Sequence, residues 1–337
     1  MEGVLIDAFN LNIASGGCMS AKNRILSVNF LFVFSILLYV EFLNSRYLSA
    51  KDLSDTVTKS EVSIQSDGTR LSGTVFIPNG PQNSRYPAIA MAHGWGGEAT
   101  QLFQYAEKFA EAGYFVLVFD YRGWGKSDSR YVQVKDPITG ELKLVEYSGI
   151  VDPLDQVEDY FSAVNWLASD PRVALGKIGL WGTSWSGGTV VYVAARDERV
   201  KAIVSQVSPV GWPYDTPEAR KTWLQIGGDR ARGTRLFPKP LAREVGNLRG
   251  AMIYEKLVRF TPRDDMRELE HCASLFIVAE YEELFNNETT AFAAYKRASG
   301  VADYQVLPGA THYSVYSGTH AQAATDKAID WFDKYLR

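Results

Sequence analysis

One short segment constrains this chain more than any other: Gly182-Thr183-Ser184-Trp185-Ser186-Gly187-Gly188. A buried-strand pattern at residues 177–181 runs into it, and a helical pattern at residues 189–195 runs out of it. Passing from strand to helix in so few residues takes a sharp, strained turn, and small residues two places either side of its apex make the room. Gly182 and Ser186 hold those places around Ser184. A serine at such an apex is lifted above the sheet with its hydroxyl exposed. A shifted register, with Ser186 at the apex between Ser184 and Gly188, satisfies the same small-residue rule. It fits less well, because the strand ends at Trp181 and Ser184 then falls in the turn proper. The plain alternative is a Gly/Ser-rich turn that opens a helix and does no chemistry.

Around this turn, strands and helices alternate. Residues 61–65 and 71–77 read as a hairpin turning at Asp67-Gly68. An apolar strand at 87–92 runs into His93-Gly94-Trp95-Gly96-Gly97, and a helix follows with Leu102, Tyr105, Ala106, Phe109 and Ala110 on one face. A buried strand at 114–119 ends at Asp120 and leads into Asp120-Tyr121-Arg122-Gly123-Trp124-Gly125, then a polar excursion. Helix 152–168, strand 201–207, strand 274–279, helix 289–298, strand 304–307 and a closing helix complete the pattern. This predicts a mainly parallel, doubly wound sheet covered on both faces. Residues from about 208 to 271 break the rhythm and read as a cap inserted between strands. Its Trp212, Trp223 and Phe237 are expected to shape specificity.

Ahead of this domain, taken as 56–337, residues 1–55 read as a targeting or anchor segment. Lys22 and Arg24 precede an uncharged apolar run at 25–40, and Leu48-Ser49-Ala50 offers small residues for cleavage. The run is short for a full span and long for a signal core. Export, or anchoring through residues 25–43 with the catalytic domain outside the cytoplasm, is therefore the expectation. A net charge of −4 with both signs scattered argues against a nucleic-acid partner. Two cysteines, Cys18 and Cys272, allow no disulfide framework or zinc spacing.

A hydroxyl is a weak nucleophile and needs an adjacent base. The chain has four histidines. His93 opens the glycine-rich loop and reads as a residue that holds it. His271 and His320 read as surface or capping residues. His312 follows the last strand in Gly309-Ala310-Thr311-His312-Tyr313, where the base belongs in the order serine, acid, histidine. The acid belongs in the loop after the penultimate strand, Ala279-Glu280-Tyr281-Glu282-Glu283-Leu284, where three carboxylates compete. Glu282 is favoured, with Glu283 expected to point away from it, and the other two glutamates are expected to be solvated loop charges. Backbone N–H groups of Trp95 and Trp185 are the expected oxyanion donors.

With these pieces in place, the chain resembles the dienelactone-hydrolase-like and Xaa-Pro-dipeptidyl-peptidase-like branch of the α/β-hydrolase superfamily. The resemblance rests on residues 93–97, 120–125, 182–188, 279–284 and 309–313. Ser186 stands where glycine is usual, and Glu282 where aspartate is commoner. The resemblance implies the α/β-hydrolase fold and a serine hydrolase that cleaves a carboxylic ester or related acyl bond of a small molecule, with no metal or organic cofactor. A dipeptidyl- or aminoacyl-peptidase on the same fold is the alternative.

A more distant rival comes from Gly94-Trp95-Gly96-Gly97-Glu98-Ala99, which matches the dinucleotide fingerprint, with Asp120 at about the right distance. An NAD(P)-dependent oxidoreductase would leave Ser184, Glu282 and His312 unexplained.

Overall fold

The computed structural model describes residues 56–337 apart from 137, 240–242 and 246–247. The basic-then-apolar leader lies outside the described residues. Among the described residues no helix is long and apolar enough to cross a membrane.

The chain opens with β1 (Val57–Ser66) and β2 (Thr69–Pro78), antiparallel partners around Asp67-Gly68. There follow β3 (Tyr86–Ala92), α1 (Phe103–Glu111), β4 (Phe115–Phe119), β5 (Arg130–Lys135), β6 (Leu142–Tyr147), β7 (Ile150–Val151), α2 (Pro153–Ser169), β8 (Val173–Thr183), α3 (Trp185–Ala194) and β9 (Val200–Gln206). The region expected as a cap holds α4 (Pro217–Ala231), β10 (Arg243–Val245), β11 (Leu248–Arg249), β12 (Ala251–Met252) and the one-turn α5 (Pro262–Asp265). Then come β13 (Ala273–Tyr281), the short α6 (Ala291–Tyr295), β14 (Ala302–Thr311) and α7 (Gly318–Leu336).

One sheet of eight strands runs β1-β2-β4-β3-β8-β9-β13-β14. From β4 to β14 every neighbouring pair is parallel, and β2 alone runs against the rest. Successive strand residues point to opposite faces, so a strand buried on both faces feeds two cores. Ala88, Ala90 and Ala92 of β3 pack with Val157, Tyr160 and Val164 of α2 and Val190 of α3. Ile89 and Met91 pack with Phe109 of α1 and Phe332 of α7. The doubly wound arrangement predicted from alternation is the one observed.

Local chemistry sets the helix starts. Asp152 caps α2, accepting from the N–H groups of Leu154 and Asp155, and Pro153 supplies a first-turn residue with no N–H to lose. Thr216 and Pro217 do the same for α4. The polar excursion after Gly125 contains an antiparallel hairpin, β5 with β6. Both of its strands are largely solvated, so no buried face marks them in the sequence.

The loop after β4 is tied to α2 through a buried charge pair. Arg122 donates from its backbone N–H to Asp159 Oδ2 (2.9 Å) and from Nε to Asp159 Oδ1 (2.8 Å). Its Nη2 also reaches Ser66 Oγ at 2.9 Å. The Asp159 side chain is 0% exposed and that of Arg122 7%. Removing one partner of such a pair strands the other charge. Asp159→Ala should therefore lower the unfolding free energy by about 3–5 kcal/mol in urea denaturation. A loss below about 1 kcal/mol would mean that Arg122 finds solvent or another partner.

Candidate active site

The backbone at Ser184 has φ 53° and ψ −124°, a conformation a non-glycine residue adopts only under strain. Its geometry follows from its neighbours. The Ser184 N–H donates to the Gln206 carbonyl of β9 (2.8 Å), and its carbonyl accepts from Gly187 N–H (3.1 Å). Gly182 lies so close beneath the turn that a Cβ there would collide with the Ser186 carbonyl, so glycine is required at that place. Gly94, from the loop after β3, presses on Ser184 from the other side; a Cβ on it would fall 2.7 Å from Ser184 Cβ.

Ser186 sits differently. It is buried, and its hydroxyl bonds Tyr121 Oη (2.8 Å) and Tyr160 Oη (3.2 Å). The shifted register that would make Ser186 the apex is thereby excluded. Instead Ser186 bolts the first turn of α3 to the loop after β4 and to α2. Burial pushes both tyrosine hydroxyls well above their usual range, so they stay protonated.

His312 Nε2 lies 3.1 Å from Ser184 Oγ, and its Nδ1 lies 2.9 Å from each Glu282 oxygen. The side chains of His312 and Glu282 are 3% and 2% exposed. A carboxylate can only accept, so Nδ1 carries the proton and Nε2 keeps its lone pair toward Ser184. Leu284 N–H donates to Glu282 Oε1 (3.1 Å), and Phe285 packs its ring edge-on to the imidazole at 5.7 Å.

The other two glutamates are not idle loop charges. Glu280 Oε2 accepts from Gly309 N–H and Glu283 Oε2 accepts from His312 N–H, both at 2.7 Å. Both are exposed, as expected of solvated loop charges, but their bonds to the backbone were not foreseen. A local register shift between β13 and β14, described below, brings these backbone groups within reach, and residue order marks it only by Pro308-Gly309.

The remaining histidines lie elsewhere. His93 is buried; its Nδ1 pairs with the Gly94 carbonyl (2.9 Å) and its Nε2 accepts from Tyr121 N–H (3.4 Å). Burial lowers its pKa, so it holds the glycine-rich loop as a neutral ring. His271 meets the Ala194 carbonyl at 3.1 Å, and His320 lies in the first turn of α7. Asp120 spends its carboxylate on backbone groups, Ala99 N–H (2.6 Å) and Lys126 N–H (3.0 Å), leaving little to offer a ribose.

Trp95 and Trp185 stand edge-to-face at 5.9 Å. Each indole N–H is pinned: that of Trp95 to the Arg249 carbonyl (3.0 Å), that of Trp185 to Gln156 Oε1 (2.7 Å). Trp212, from the inserted region, closes on both at 6.0 and 6.5 Å. Trp223 is instead a core residue, and Phe237 packs on Tyr147. A cleft of about 450 Å³ opens over Ser184 and His312, walled by Trp95, Leu102, Leu248, Tyr313 and Tyr316. Sequence reading missed Gln156, Tyr121 and Tyr160, which brace the site from behind. The one trace of them was that Tyr121 belongs to a loop already singled out.

Two family descriptions match the chain. X-Pro dipeptidyl-peptidase (S15 family) matches residues 67–226, and the C-terminal domain of BAAT/acyl-CoA thioester hydrolases matches residues 156–313. An uncharacterized 31.7 kDa protein of Escherichia coli is 29% identical over 292 residues, 78% of this chain and 95% of that protein. A thiohydrolase of Aspergillus aculeatus is 37% identical over 150 residues, 44% of this chain and 41% of that protein. Among solved structures, an alpha/beta hydrolase from a Penicillium species superimposes with a TM-score of 0.64 at 20% identity, covering 83% of this chain and 99% of that one.

The strain at Ser184 has a measurable consequence. Ser184→Ala and Ser184→Gly both remove the hydroxyl, but only glycine relaxes the positive φ. Ser184→Gly should be the more stable of the two by about 1 kcal/mol, after the greater chain entropy of glycine is subtracted from the relieved strain. Equal urea midpoints would show that the turn is not strained.

Proposed function

We propose that this chain, an enzyme of the α/β-hydrolase superfamily in its dienelactone-hydrolase-like and S15-like branch, hydrolyses a carboxylic ester or related acyl bond through an acyl-enzyme on Ser184. The observation that carries this reading is the unbroken relay from Ser184 Oγ to His312 Nε2 and from His312 Nδ1 to Glu282. As Ser184 Oγ attacks the carbonyl carbon, its proton passes to His312 Nε2. Glu282 keeps the ring in the accepting tautomer and offsets the imidazolium charge. The oxyanion forms beside the backbone N–H groups of Trp95 and Trp185. Trp185 heads α3, where first-turn N–H groups lack intrahelical acceptors. His312 then gives its proton to the leaving group, and water, activated by the same ring, releases the acid and restores Ser184.

The relatives' printed activities support acyl transfer in general, thioesters included. An oxygen ester is the default substrate, because it needs no recognition beyond the carbonyl and its two arms. A panel of p-nitrophenyl esters, acyl thioesters and aminoacyl-p-nitroanilides separates the readings. Preferential cleavage of the anilides would assign the chain to peptide hydrolysis instead.

Ser184→Ala should lower ester turnover by about 10⁴-fold or more and abolish labelling by a fluorophosphonate. Near-wild-type turnover in that variant would overturn the assignment. Glu282→Gln should cost about 10³- to 10⁴-fold, because it disturbs the tautomer, while Glu280→Gln stays within a few-fold. The reverse ranking would move the acid to Glu280 and leave the serine untouched.

A further inference from the structure

We propose that Glu283 is a positioning residue that sets the place of His312 by holding its backbone, a task separate from the one Glu282 performs on the ring. This rests on the reading of Ser184 and His312 as nucleophile and base.

The argument starts in the sheet. β13 and β14 pair in parallel register from Ser274↔Ala302 to Ala279↔Leu307; the next pair is Tyr281↔Thr311. Two steps along β13 are thus matched by four along β14. The intervening residues, Pro308-Gly309-Ala310, leave the ladder opposite the single residue Glu280. Pro308 has no N–H to give, and Gly309 takes φ 72°, which favours glycine. Such a bulge re-aims the strand that carries it and unpairs main-chain groups. Two of the unpaired N–H groups are those of Gly309 and, past the last rung, His312.

Side chains from the facing strand end take the place of the missing carbonyls. Glu280 Oε2 accepts from Gly309 N–H and Glu283 Oε2 from His312 N–H, both at 2.7 Å. Bonds between a carboxylate and a backbone N–H are charge-assisted and stronger than the amide–amide bonds they replace. Among the described residues, the Glu283 carboxylate makes no other hydrogen bond or ion pair. Glu282 already engages the imidazole with both oxygens. The loop that presents all three is itself fixed, by Asn287 Nδ2 on the Ala279 carbonyl (2.8 Å) and by Leu284 N–H on Glu282. Tyr313, next in the chain, senses both neighbours: burial, and then the charges of Glu283 and Glu282, raise the pKa of its hydroxyl.

His312 is therefore held at two points from one loop. Glu282 sets the rotation and tautomer of the ring. Glu283 sets where the Cα stands, and with it the distance from Nε2 to Ser184 Oγ. A displacement of about 1 Å at a reacting group is enough to cost up to about 100-fold in rate. Glu283 does not line the cleft over Ser184.

The test compares Glu283→Ala with Glu283→Gln in the full chain, by steady-state ester kinetics and fluorophosphonate labelling rate. Glu283→Ala should lower kcat about 10- to 30-fold with KM unchanged and slow labelling in proportion. Glu283→Gln, whose amide oxygen still accepts from His312 N–H, should recover to within about three-fold of wild type. Three outcomes overturn the proposal: kcat retained in Glu283→Ala, equal loss in both variants, or a rise in KM alone. The second would assign the effect to charge, and the third to substrate contact. Wild-type protein that fails to label at Ser184 would instead bring down the reading of the site itself, and this inference with it.

Discussion

The positive φ of Ser184 is the constraint on which the rest of this site depends. A serine is held there only because everything around it leaves no alternative. β8 must stop and α3 must start within one residue, with Gly182 too close beneath Ser186 to carry a side chain. The strain costs on the order of 1–3 kcal/mol. It is offset by the two cores that clamp β8 between β3 and β9, by the Ser184 N–H bond to Gln206, and by the Ser186 bridge to Tyr121 and Tyr160. A turn built this way places a hydroxyl at a fixed point above the sheet edge. The loops after β3, β13 and β14 then need only bring their groups to that point.

What the sequence disclosed and what it withheld divide along a physical line. Alternating apolar runs gave the strands and helices, because burial on both faces of a parallel sheet leaves a strong pattern. The turn at Ser184 was legible because its glycine and serine spacing is itself a steric requirement. His312 was legible by its position after the last strand. The roles of Glu280 and Glu283 were not, because they depend on a register shift between β13 and β14 that leaves no mark beyond Pro308-Gly309. The β5–β6 hairpin was missed for a related reason: both faces lie largely in solvent, and its apolar residues, Tyr131, Leu142 and Leu144 among them, are exposed and mark no core face. Of the three aromatics expected to shape specificity from the inserted region, only Trp212 meets the site tryptophans. Composition alone could not distinguish it from Trp223, which serves the core.

The inserted region is joined to the site by aromatic contact. Trp95 follows Gly94, which abuts Ser184, and Trp185 follows Ser184 itself, so the two indoles extend the backbone geometry of the turn outward. Their N–H groups are anchored separately, one on the Arg249 carbonyl of β11, the other on Gln156 of α2. Trp212 closes against both and in turn meets Tyr254 edge-on at 5.6 Å. The inserted region thus packs directly on Trp95 and Trp185, the two residues whose amides serve as oxyanion donors in the proposed mechanism.

The glycine-rich loop after β3 shows why a motif has to be read with its partners. Gly94, Gly96 and Gly97 with Asp120 satisfy the pattern of a dinucleotide site, where glycines admit a pyrophosphate and an acid holds a ribose. Here the same residue types meet different partners. Gly94 admits Ser184, and the imidazole of His93 bonds the Gly94 carbonyl. Asp120, at the end of β4, caps the 3₁₀ turn that leads into α1 through Ala99 N–H and closes its own loop through Lys126 N–H. An acid with both oxygens committed to backbone N–H groups would have to surrender those bonds before it could bind a hydroxyl, and loss of the first would leave the buried Ala99 N–H unsatisfied. In this chain the glycines bring one backbone segment against another, and that closeness sets the loop that carries Trp95 directly against Ser184.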